Sequence, residues 1–140
     1  MMKKAILVTG VFDLLHSEHI GFLKSAKALG GCLVVGIESD LRVRKLKGEG
    51  RPVQSALERK KALIALKFVD KVFVLPNQFE TEPDHLRLLK LVKPDILAVS
   101  SHTPHLISKR QLMKKVGGKV VVVRKHNPSI STTKILQNKQ

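Results

Sequence analysis

Short apolar runs and helical patterns alternate along the chain. Residues 5–8, 32–37, 71–75, 96–99 and 119–123 are nearly continuous in apolar, β-branched side chains, as strands buried on both faces require. Between them lie helical patterns. Residues 21–29 carry Phe22, Leu23, Ala26 and Leu29 at helical spacing and stop at Gly30-Gly31. Residues 55–66 open with Ser55-Ala56-Leu57-Glu58, a capping-box pattern. Residues 83–92 and 104–116 start with proline at or near the first turn, and the last pattern stops at Gly117-Gly118. Five strands alternating with helices predict a parallel sheet with right-handed crossovers. There is no repeat, low-complexity tract or linker, so residues 1–140 read as one domain.

Three segments interrupt this rhythm. Thr9-Gly10-Val11-Phe12-Asp13-Leu14-Leu15-His16-Ser17-Glu18-His19 links the first strand to the first helix. In parallel α/β proteins such a junction seats phosphate, because the helix N-terminus offers N–H groups and a positive dipole end. His16 falls just before the helix and His19 in its first turn, so both rings can face one anion. Gly10 lets the backbone come close to a ligand. The charged segment 41–54, with Gly48, Gly50 and Pro52, reads as a loop carrying Lys45, Lys47 and Arg51. Alone, such a run describes a solvated surface. Segment 127–133 leads into a short final helix through Ser129-Ile130-Ser131-Thr132-Thr133, which suits either plain N-capping or a phosphate seat.

Charge sharpens this picture. The formal net charge is +15, and beyond Asp95 there is no acidic residue against nine Lys and Arg. Such a field attracts anionic small molecules or nucleic acid. The chain lacks Trp and Tyr and has five Phe, so it is poor in the rings on which single-stranded bases stack. Phosphate attraction is favoured over base reading. No apolar run is long enough to span a membrane. The first residues stop short of a signal-peptide core, and the one cysteine, Cys32, fits a reducing compartment. A cytoplasmic protein is expected. His102 and His105 have a spacing that permits metal binding, but without a nearby acidic or cysteine partner they read as loop histidines.

Gly10-Val11-Phe12-Asp13-Leu14-Leu15-His16-x-x-His19 resembles the G-x-F-D-x-x-H-x-G-H signature of the cytidylyltransferase-like nucleotidyltransferases. Ile130-Ser131-Thr132-Thr133-Lys134-Ile135 resembles their second signature, I-S-T-[ST]-x-I. The words Lys45-Leu46-Lys47-Gly48, Arg51-Pro52-Val53 and Glu58-Arg59 are similar to the adenylyltransferase half of bacterial ADP-heptose synthases. The resemblance runs in order over essentially the whole chain. It implies a Rossmann-like five-stranded parallel sheet in order 3-2-1-4-5, helices on both faces, and a homodimer. It implies transfer of a nucleoside monophosphate from ATP or CTP, with Mg²⁺ accompanying the triphosphate, to a phosphorylated small molecule. A sugar 1-phosphate is the favoured acceptor; glycerol 3-phosphate with CTP and FMN with ATP are the rivals. Gly10 and the backbone at Val11 and Phe12 would meet the nucleotide, and His16 and His19 would stabilise the transition state. Ser131, Thr132 and Thr133 would hold the outer phosphates, Lys45 or Lys47 the α- or acceptor phosphate, and Arg124 would match a family arginine on the nucleotide side. Asp13, Arg51, Arg59 and Lys67 are the substrate-side candidates.

One position departs from the signature: Glu18 stands where the family has glycine. Three outcomes are open. Its carboxylate turns to solvent or to a lysine, helps hold Mg²⁺, or marks a site that binds without catalysing.

Overall fold

The computed structural model describes residues 4–124. Five strands, β1 (Lys4–Gly10), β2 (Gly31–Ile37), β3 (Lys71–Val74), β4 (Ile96–Ser100) and β5 (Lys119–Arg124), form one sheet in the order β3-β2-β1-β4-β5. Every pairing is parallel. The helices are α1 (Ser17–Lys27), α2 (Asp40–Lys47), α3 (Ala56–Ile64), α4 (Glu82–Val92) and α5 (Leu106–Lys115). The expected architecture and strand order are present.

The alternation of side chains along each strand builds two cores. Ile6 and Val8 of β1 face one way, with Leu33, Val35 and Ile37 of β2, and pack against Leu23 and Ala26 of α1 and Leu63 of α3. Leu7 faces the other way, with Leu97 and Val99 of β4, and meets Leu88 and Leu89 of α4 and Leu112 and Met113 of α5. Complete burial of a residue such as Leu23 contributes about 1.5–3 kcal/mol, so continuous apolar strands suit this sandwich. Gly31 is required where β2 meets β1: a Cβ there would stand 2.1 Å from the Lys4 carbonyl oxygen.

The structure corrects several expected boundaries. Part of the expected 41–54 loop is helical: α2 is capped by Ser39, whose hydroxyl accepts from the Arg42 N–H at 3.2 Å. Its Leu, Arg and Lys residues are good helix formers, but only Val43 is a fully buried apolar anchor. The expected strand 71–75 ends at Val74, and α1 begins at Ser17, before its apolar pattern does. No helix among the described residues is long and apolar enough to cross a membrane.

Candidate active site

The parallel sheet places the ends of β1, β2, β3 and β4 at one edge, and the β1–α1 turn lies there. The turn is bent sharply: Phe12 and Leu14 both take left-handed backbone angles (φ 53° and 51°). Gly10 leaves room for it, since a Cβ there would lie 2.9 Å from the Phe12 ring. The bend is held from outside. Asp13, 1% exposed, accepts from the Val53 N–H at 2.7 Å and the Gln54 N–H at 3.0 Å, and Arg51 pairs with it at 3.4 Å. Gln54 Oε1 accepts from the Leu14 N–H at 3.2 Å.

His16 caps α1. Its Nδ1 accepts from the Glu18 N–H at 3.2 Å, and the His16 N–H donates to His19 Nδ1 at 3.3 Å. The rings stack with centroids 3.7 Å apart, and the Phe12 ring meets His19 edge-on at 5.4 Å. A ring nitrogen that accepts an N–H carries no proton, so each neutral imidazole keeps its proton on Nε2. Nε2 of His16 is buried and has no hydrogen-bond partner among the described residues. Burial pushes His19 down to about 4, helped by the charges of His16 and Lys47 and opposed by Asp13. Burial also lowers His16, opposed by Glu18. At neutral pH the pair therefore presents uncharged donors, the state suited to receiving phosphate oxygens.

The structure sorts the other candidates. Lys47, the last residue of α2, stands close enough for its charge to act on His19. Lys45 is exposed two positions earlier, on a different side of the helix. Arg124 ends β5 opposite Ser100, at the same sheet edge as the histidines. Ser131, Thr132 and Thr133 lie outside the described residues. The Val11 carbonyl is already taken by Arg59.

Two substrate-side candidates are corrected. Arg59 is fully buried and spends its guanidinium on protein: Nη1 donates to the carbonyls of Val11 (3.0 Å) and Glu38 (2.8 Å), Nε to that of Gln54 (3.1 Å), and Nη2 to Asp40 (2.6 Å). It braces the site rather than facing it. Lys67 lies in the connection that precedes β3, at the opposite edge of the sheet from His16 and His19. Asp13 is likewise committed to the 51–54 segment, which it holds in place.

Sequence reasoning missed several residues at this edge. Gln54 carried no signal of its own. Arg42 is buried between Glu38 (3.5 Å) and Glu80 (2.5 Å). His85 stacks on Phe79 at 4.0 Å, and Lys109 donates to the Thr103 hydroxyl. Burial lowers the pKa of both His85 and Lys109. His102 and His105 are exposed, and no cluster of three His, Cys, Asp or Glu gathers to hold a metal among the described residues.

A parallel sheet in this order, with two oriented histidines capping its first helix, defines a nucleotidyltransferase-like α/β protein. The chain belongs to the cytidylyltransferase-like family, which matches residues 7–138. It is 37% identical over 138 residues to the bifunctional protein HldE of Desulfatibacillum aliphaticivorans, covering 97% of this chain and 27% of that one. With HldE of Campylobacter fetus it shares 45% over 95 residues, covering 68% and 20%. The chain thus spans about a quarter of the length of these relatives. The crystal structure of a lipopolysaccharide core biosynthesis protein from Thermoplasma volcanium superposes with TM-score 0.70 at 30% identity, covering 89% of this chain and 98% of that one. A pantoate-beta-alanine ligase from Francisella tularensis shares the fold at TM-score 0.67 and 19% identity.

Proposed function

We propose that the protein transfers a nucleoside monophosphate from ATP or CTP to a phosphorylated small molecule, with a sugar 1-phosphate as the favoured acceptor. One observation carries this reading: His16 and His19 are stacked at the start of α1, each with Nδ1 taken by a backbone N–H so that the proton of the neutral ring sits on Nε2. An acceptor phosphate oxygen attacks the α-phosphorus in line. The new O–P bond forms as the bond to the β-phosphate oxygen breaks, and pyrophosphate leaves. Charge grows on the phosphoryl oxygens during this exchange, and the two Nε2–H groups donate to it. Lys47 adds a positive charge near His19. Mg²⁺ bound to the triphosphate would offset part of its charge. Holding both phosphates in line supplies the rest of the rate. A homodimer belongs to the same reading and rests on the family likeness, whereas a cytoplasmic location rests on the short apolar start and the one cysteine, Cys32.

A coupled pyrophosphate assay over ATP and CTP against sugar 1-phosphates, glycerol 3-phosphate and FMN tests it. Release that needs one nucleotide and one acceptor supports the transferase. Silence in every pairing by a folded sample sinks it.

The placement of Glu18 against His16 favours a second reading, a nucleotide-binding homologue with weak or no turnover. With a charge of +15, nucleic acid is a less favoured ligand of that reading. Thermal shifts distinguish the cases: a response to one nucleotide is specific binding, whereas an equal, salt-sensitive response to any polyanion is not.

A further inference from the structure

We propose that a cleft at the edge where the strands begin binds an aliphatic anion, such as a fatty carboxylate, with its chain on β2 and β3 and its head group on Lys71. The cleft holds about 490 Å³, and Ala5, Cys32, Val34, Phe73, Val92 and Lys71 help to line it. Ala5, Cys32 and Lys71 stand in the first two positions of β1, β2 and β3. His16 and His19 lie at the opposite edge, so this site is separate from theirs. Strand alternation explains why the cleft exists. Val34 and Phe73 belong to the side of the sheet that carries α4 and α5, and Cys32, two positions before Val34, points the same way. On that side α4 packs with Leu88 and Leu89 and ends at Val92. β3 is the outermost strand. Cys32, Val34 and Phe73 are consequently left only half-buried. The volume and the apolar lining are those of a small-ligand pocket.

Charge selects the head group. Lys71 is the one charged residue of the lining. It is exposed and makes no ion pair among the described residues. The acids of this edge are engaged elsewhere. Asp70 takes Lys27 Nζ and the Leu33 N–H, both at 2.7 Å, and Asp95 takes the Ala5 N–H at 2.8 Å. The lining side chains thus offer hydrocarbon, a thiol and an ammonium. A sugar or a nucleoside would leave most of its polar groups without partners there. A carboxylate on a hydrocarbon chain leaves none: the chain covers the apolar floor, and the head group meets the cation.

Cys32 is the chain's only cysteine, so its alkylation by iodoacetamide reports on the cleft. The probes are hexanoate, octanoate and decanoate below their micelle concentrations, with octanol and octylamine as charge controls. Saturating octanoate is expected to slow alkylation about tenfold or more. The Kd read from this protection should tighten about fourfold for each added methylene until the cleft is full. Octylamine should protect least. Lys71→Gln, shown to be folded by its melting curve, should erase the advantage of octanoate over octanol. No protection by any probe overturns the proposal, as does equal protection by octanoate and octylamine. An octanoate affinity unchanged in Lys71→Gln also overturns it. Protection that appears without a probe as protein concentration rises assigns the cleft to a second copy of the chain and overturns it as well.

Discussion

Arg59 reaches from α3 to the carbonyl oxygen of Val11, 3.0 Å away, across 48 positions of sequence. The same guanidinium takes the carbonyls of Glu38 and Gln54. Three loops that carry the site are thereby tied to one buried cation.

Replacing Arg59 should consequently damage the fold before the chemistry. Arg59→Met leaves three carbonyls without this donor and is expected to cost about 3 kcal/mol or more. Arg59→Lys should recover only a fraction, because an ammonium cannot span the fork. Urea denaturation measures both. A variant of wild-type stability with lost nucleotide affinity would restore Arg59 to the binding surface.

Asp13→Ala should release the 51–54 segment. Two charge-assisted bonds to backbone N–H groups disappear, at a cost of about 2–4 kcal/mol. Limited proteolysis is expected to cut between Gly48 and Gln54 in the variant well before the wild type. Equal cleavage rates would show that the segment is held by other contacts.

His16→Asn separates capping from catalysis. Asparagine is a good N-cap, so α1 should survive with stability changed by less than about 1 kcal/mol. The Nε2–H donor is gone, and kcat should fall by about 10²–10³-fold. Circular dichroism and the pyrophosphate assay read the two effects separately. A variant that keeps full turnover sinks the role given to His16.

Acid should destabilise the protein through His19. Its folded value of about 4 lies below the ordinary 6.5, so between these two values the unfolded chain binds more protons. Stability therefore rises with pH across this window, and the contribution, about 2–3 kcal/mol, is complete above pH 6.5 and lost as pH falls toward 4. His16 and His85, also lowered by burial, add slope of the same sign. His19→Asn should flatten the curve of melting temperature against pH. An unchanged slope would locate the acid sensitivity elsewhere.

The sheet was legible because β1, β2 and β4 announce double-sided burial through unbroken apolar runs. The junction at His16 and His19 was legible because a glycine, a capping side chain and a helix pattern fell in sequence order. α2 was obscured by its composition: one buried valine among cations does not make a recognisable stripe. The burial of Arg59 had no local sign at all, since its partners come from three distant segments. Lys67 is a different case. A residue just before a strand of a parallel sheet lies at the edge where strands begin, so the alternation of elements already separated it from the histidines.

The stacking of His16 on His19 has a consequence for traffic of ions. The chain as a whole gathers anions, yet the seat itself holds no fixed imidazolium at neutral pH. A small anion such as chloride finds two weak dipoles there and little reason to stay. A polyphosphate can engage both Nε2–H donors at once with no change in protonation, because each Nδ1 is already taken by a backbone N–H. The seat thus behaves as a rectifier, silent toward dilute charge and responsive to concentrated charge.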